Sequence, residues 1–265
     1  MIVSETGQTC KPKKILICED SMEGIFSAVY DGWKYGDYYE VSLSIGEPWE
    51  QEFFAGYETI PADSVKFRKV IRSIWNKLGM TAWEQIGYCA VADDAEKGTA
   101  IFHTLWKALS HGQCNRDIME ELADPYVNHV FKMHTRVWHE YHRFLGFVRF
   151  REAGGGVLFS KIKPENDILE MLGSHFQNRY PLESWMIYDE KRSKVLIHPA
   201  GEDCSVRRDV HLKIEQVSKP TENDEYEQFW KVFCDSITIE TRRNPKLQQQ
   251  FLPRKFQTNM TEFIK

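Results

Sequence analysis

The chain has 265 residues, a formal net charge of -5 and 42% hydrophobic residues, including eight Trp and sixteen Phe. That apolar mass supports a dense core, and 28% charged residues exclude a wholly disordered chain. The negative total argues against a protein that coats nucleic acid non-specifically, and no apolar run approaches the ~20 residues that cross a bilayer.

Residues 1–13 read as a loose polar leader without the basic and apolar regions of a secretory signal. Lys14 to Cys18 is a short apolar run and reads as a buried strand. Met22 to Trp33 follows with helical spacing and Asp20 or Ser21 as N-cap. Asp63-Ser64 caps a helix over 65–78, with an apolar stripe of Val65, Val70, Ile71, Ile74, Trp75 and Leu78 and Gly79 at its end. Further helices are expected over 82–92, 95–110, 117–123 and 126–145. The period then changes. Residues 147–152 and 157–162 alternate around a glycine turn and predict a hairpin, and 185–188 with 195–198 predict another. Between them a helix is expected from Lys163-Pro164 to Asn178, with a further strand at 210–214 and a last long helix from Thr221 to Arg243. Helices first and strands later predict an α+β class. The expected architecture is one domain over 1–265. Its helix-rich part, about 14–145, packs with an antiparallel β-meander and a long C-terminal helix in the remainder.

Charge is distributed in blocks. Residues 37–58 hold six acidic and no basic side chains, whereas 127–163 hold seven Lys/Arg against two Glu. At roughly 100° per residue, His129, Lys132, Arg136, His139 and Arg143 fall in an arc of about 80°, with Glu140 at its margin and Val127, Val130, Val137, Trp138 and Phe144 opposite. Solvated helices usually mix signs to gain i,i+4 pairs, so a single-sign stripe favours an anionic partner; the alternative is a wet face paired with an acidic segment elsewhere. Arg149, Arg151, Lys161 and Lys163 could extend it across the hairpin, and the planar fork of arginine suits phosphate.

Other chemistry has weaker signatures. Cys10, Cys18, Cys89, Cys114, Cys204 and Cys234 are scattered, which suggests neither zinc site nor disulfide framework but reduced thiols in a cytoplasmic compartment. Cys89 and Cys234 sit in apolar helical patterns and are expected to be buried. His139-Glu140-Tyr141-His142 lacks the H-E-x-x-H spacing, so no metal is expected. Gly154-Gly155-Gly156 lies in a hairpin rather than before a helix and is no phosphate cradle. No cofactor motif is present.

Five segments then bear a family resemblance. Ile15 to Tyr30 resembles a strand followed by D-G-S-x-E-G-x-x-x-A-V, with Asp20 where the pattern has Gly. His142-Arg143-Phe144-Leu145-Gly146-Phe147-Val148-Arg149-Phe150-Arg151-Glu152 resembles H-R-F-x-G-F-x-R-F-x-E. His175 to Tyr180 and Trp185 to Arg192 resemble the next two, and the tail from Arg243 through Pro253 and Thr261 to Phe263 is also similar. Together these resemble a bacterial family of unknown function described as DNA-metabolism or DNA-repair proteins. Its members are paired with a radical-SAM protein and related to domains fused to uracil-DNA-glycosylase-like proteins. The resemblance implies a process and carries over no catalytic residue.

The leading expectation is therefore a nucleic-acid-binding accessory of a radical-SAM partner. Lys132, Arg136, His139, Arg143, Arg149, Arg151, Arg179 and Arg192 would be its binding residues. The alternatives are an enzyme on damaged or modified nucleic acid, with His175 and Asp189 as acid–base candidates, and a scaffold without DNA contact.

Overall fold

The apolar run near the N-terminus becomes the middle strand of a three-stranded sheet, Lys13–Cys18 (β1). The computed structural model describes residues 11–210 except 49, 50, 113 and 154, and beyond 210 positions 232–233, 236, 241, 244–257, 260 and 263. The chain divides into two units, Met1–Trp138 and His139–Lys265. Helices and strands are mixed in both, consistent with α+β.

In the first unit β1 pairs in parallel with Glu40–Ile45 (β2) on one side and Gly56–Thr59 (β3) on the other, so that Leu16 faces Leu43 and Glu58. Met22–Gly32 (α1) is the crossover from β1 to β2. Its N-cap is Ser21, whose side chain accepts from the Gly24 N–H as the spacing predicts. A Cβ on Gly24 would lie 2.5 Å from the Glu19 carbonyl oxygen, so the strand-to-helix turn requires glycine there.

Strands β2 and β3 correct the sequence reading, which saw only an acidic block in 37–58. The strand signal is there: Val41 and Leu43 are buried at 1% and 3% exposure, with Ser42 and Ser44 between them. The edge of β2 is covered by Lys97–Leu109 (α4). Thr99 Oγ1 accepts from Leu43 N at 3.0 Å, and His103 Nε2 donates to the Val41 carbonyl at 2.9 Å. A Cβ on Gly98 would meet Leu43 Cβ at 2.9 Å, which shows how closely helix and strand approach. Ser64–Lys77 (α2) is N-capped by Asp63, which accepts from Val65 N and Lys66 N, and Met80–Ala90 (α3) follows. Of the six-residue apolar stripe expected for α2 and its end, only Ile74 and Leu78 are buried; Val65 and Trp75 are 54% and 48% exposed. The 117–123 helix is one turn of 3₁₀, Ile118–Glu120.

Glu58 on β3 ties this unit to acid. The Tyr35 hydroxyl donates to it at 2.6 Å, and Lys14 and Lys34 lie at 3.0 and 3.4 Å. The Tyr35 hydrogen bond first, and the lysines after it, lower its carboxyl from an ordinary 4.5 to about 2. A folded value below the unfolded one gives stability that is full above pH 4.5 and drains away as pH falls toward 2. Melts from neutral to acid pH should therefore show Glu58→Gln with a flatter acid limb in that window; an unchanged limb counts against the assignment.

The second unit holds a five-stranded mixed sheet in the order β4-β5-β6-β7-β8: Arg151–Glu152, Leu158–Ile162, Trp185–Asp189, Lys194–His198 and Ser205–Arg207. Both expected hairpins form, with Arg151 opposite Phe159 and Ile187 opposite Leu196. The expected antiparallel meander does not. β5 and β6 are parallel, joined through Leu169–Arg179 (α6). A helix between two strands returns the chain to the same end of the sheet, which a meander's short turns do not. β8 was missed by sequence; Val210 is in no strand, and 211–214 lie outside the described residues. The core is built on Phe159, Tyr188 and Val195, with Trp185 and Ile187 also buried.

Two boundaries moved for identifiable reasons. Pro125–Phe147 (α5) runs on through Gly146, and Val148 N still bonds the Phe144 carbonyl at 3.1 Å, so the strand expected from 147 begins only at Arg151. Phe144 and Val148 continue the helical period of Val137, and this outweighs the alternation. The helix expected from Pro164 starts at Leu169 because side chains claim the backbone before it. Glu140 accepts from Glu165 N and Asn166 N at 2.8 and 2.9 Å, and Arg192 donates to the Pro164 and Glu165 carbonyls. The long helix over 221–243 falls outside the described residues, apart from isolated positions. Pro245–Phe251 (α7) and Arg254–Gln257 (α8) follow, α7 capped by Asn244.

Candidate nucleic-acid interface

The basic stripe of α5 lies on its outer side: Lys132, Arg136, His139 and Arg143 are exposed and His129 is half-buried. The buried face is rotated toward the stripe relative to expectation. Met133 and Glu140 are buried, while Phe131 and Trp138 are 41% and 39% exposed. Three stripe residues lie before the division between the units, and His139 and Arg143 lie after it.

Not every cation of the stripe is available. In the first unit Asp94 takes His129 Nε2 at 3.1 Å and Arg136 Nη2 at 3.2 Å. Burial opposes ionisation of Asp94, but His129 and Arg136 outweigh it and hold the carboxyl below its ordinary value. The pairing with an acidic segment weighed from sequence thus occurs at Asp94 for two members. Lys132 and Arg143 have no ion-pair or hydrogen-bond partner among the described residues.

In the second unit the central motif is mostly packing. Phe144 and Phe147 meet Phe256 with centroids 5.0 and 5.3 Å apart, and Phe150 meets Phe176, Tyr180 and Trp185. Arg149 donates to the Gly146 and Val148 carbonyls and so caps the C-terminus of α5. Arg151 is half-buried on β4. Arg179, in the last turn of α6, is exposed over the Tyr180 ring at 5.6 Å. Arg192 is spent on the 164–165 carbonyls and on Asp189 at 3.3 Å.

The acid–base candidates differ in kind. Asp189 is fully buried; its Oδ1 accepts from Lys191 N and Arg192 N, which makes it the clasp of the β6–β7 turn. Burial raises its pKa against the opposing pull of Arg192. His175 on α6 packs edge-on to Phe176, and its Nε2 is buried with no hydrogen-bond partner among the described residues. Among the described residues no three His, Cys, Asp or Glu side chains are placed to hold a metal ion.

Sequence reasoning passed over the strongest basic face. Helix α2 carries Lys66, Arg68, Lys69, Arg72 and Lys77 and no acid. Lys66 pairs with Asp31 at 2.6 Å. Among the described residues Arg68 bonds only Ser64, Lys69 lies over the Tyr30 ring, and none of Arg68, Lys69, Arg72 and Lys77 has a carboxylate partner. Arg68 and Arg72 are like charges at i,i+4, an arrangement that costs a helix roughly 0.2–0.5 kcal/mol. The signal was available in the composition of 64–77; attention to the apolar stripe hid it.

The thiols are graded by burial. Cys18 and Cys89 are buried, and burial pushes both up to about 12. Cys89 lies as expected, its Sγ 3.1 Å from the Val130 carbonyl, while Cys234 and Cys10 lie outside the described residues. Cys114 is exposed. Iodoacetamide at mildly alkaline pH should label Cys114 in the folded protein and reach Cys18 and Cys89 only after denaturation; peptide mapping by mass reads the order.

The chain thus combines two mixed helix–strand units with a helix, α2, on which four of the five cations have no carboxylate partner among the described residues. Residues 95–262, more than half of the chain, match a domain of unknown function, DUF4130, and the protein belongs to that family. No curated protein matches the chain. Among the described residues no helix is long and apolar enough to cross a membrane.

Proposed function

We propose that the protein is a cytoplasmic nucleic-acid-binding accessory in DNA repair or modification, acting beside a radical-SAM partner, and that it grips phosphates with α2. The observation that carries the binding is the row of Arg68, Lys69, Arg72 and Lys77 without a carboxylate partner among the described residues. Such a row costs the free helix stability, and an anionic partner offsets it. Lys132 and Arg143 on α5 and Arg179 on α6 are secondary contacts, whereas Arg136 and Arg192 hold internal partners. The process and the partner rest on the family resemblance of the segments from Ile15 to Phe263 quoted above. An enzymatic role has less behind it, because Asp189 is enclosed in a turn. The test is fluorescence anisotropy of labelled single-stranded and duplex DNA from low to high salt. Binding that weakens steeply with salt is expected; no binding at low salt overturns the reading.

A further inference from the structure

A cleft of about 530 Å³ opens in the first unit between α1, α2 and α4. That is within the roughly 300–1,000 Å³ of small-ligand sites. Its floor is apolar: Val29, Trp33, Val70, Leu105 and Leu109. Its rim is cationic. Lys69 and Lys77 line it and have no carboxylate partner among the described residues, while Asp31, also on the rim, is already paired with Lys66. Tyr30 is 39% exposed at the mouth, with the Lys69 amine 5.3 Å from its ring centroid. An apolar slot beside an aromatic face and an amine fits a flat ring that carries an anion. Arg68 and Arg72 stand on the same stretch of α2 but outside the cleft lining, so cations continue around the helix from its rim and the ligand they fit is a polyanion and not one headgroup.

We infer that the cleft takes an unstacked base of a single strand, its flanking phosphates lying on Lys69, Lys77 and Arg72. This rests on the nucleic-acid reading above and deepens it. Duplex DNA can use the cations alone; a single strand gains the cleft as well. One base stacked on an aromatic side chain gives about 10-fold in affinity, the equivalent of roughly 1.4 kcal/mol.

The test uses the full chain with a strand carrying 5-bromouracil and with duplex of the same sequence. The expected result is a single-strand preference of about 10-fold or more and a photo-crosslink mapped to Tyr30 or Trp33. Ser73→Trp, from an exposed position on the cleft wall, should fill the space. It should remove the preference and the crosslink and leave duplex affinity and its salt slope unchanged. Tyr30→Ala should also reduce the single-strand preference and remove any crosslink at position 30, and it needs no new bulk to fit. If both DNAs bind equally, if the crosslink maps elsewhere, or if free mononucleotide competes as well as the strand, the cleft inference falls and phosphate binding stands. If neither DNA binds, the functional reading falls with it.

Discussion

Replacing Arg68, Lys69 and Arg72 with alanine is expected to lower the slope of log affinity against log salt by roughly 2–3 units, at about 0.7–0.9 per lost phosphate contact. The protein should stay folded. Exposed substitutions typically move stability within about 0.5 kcal/mol, and here the like-charge pair at 68 and 72 is relieved. The comparison variant is Lys132→Ala with Arg143→Ala on α5, which touches no internal partner among the described residues. If α2 carries the phosphates, the α5 pair changes the slope by less. If α5 carries them, the ranking reverses, and an α2 variant with wild-type slope refutes the assignment. Arg136→Ala is a poor probe of either, because it also strips Asp94 of one of its two cationic neighbours.

The largest effect on stability is expected at Glu140. Its buried carboxylate accepts from Glu165 N, Asn166 N and Asn166 Nδ2, the last at 2.6 Å. Glu140→Ala leaves these donors without their acceptor in a site closed to solvent at Asn166, which is 1% exposed. At about 1–3 kcal/mol per stranded donor, partly recovered by relaxation, the loss should reach roughly 3–5 kcal/mol. For a protein of this size that is about 6–20 °C in the melting temperature. Hydrogen exchange should speed first at residues 165 and 166. A melt within a degree of wild type would show that the 164–168 loop holds itself without Glu140.

Glu140 also shows where sequence reasoning loses its grip. On the helical wheel it stands at the margin of a basic stripe and looks solvated. Its burial depends on backbone donors 25 and 26 residues away, which no local period encodes. The same cause moved the start of α6. What was legible was local: the Ser21 and Asp63 caps, the first strand, the two hairpins and the course of α5. What was not legible was pairing at a distance. Strands β2 and β3 are short, and their acidic residues outweighed two buried apolar positions in the reading. The parallel joining of β5 to β6 follows from a crossover that alternation cannot distinguish from a meander. For the candidate site, the α5 stripe was placed correctly on the surface, but its partner Asp94 sits in a distant loop. The α2 row was readable from residue types alone.

The family match begins at residue 95, inside the first unit and just ahead of α4. That helix presents Thr99, His103 and the bare backbone at Gly98 to β2, a strand the matched region does not contain. A fragment cut to residues 95–262 would therefore carry a lid without its vessel: Ile101, Phe102 and Leu105, all within 1% exposure in the whole chain, would face water. Such a fragment should be prone to self-association, and a fragment of this chain that keeps α4 covered has to reach back at least to β2.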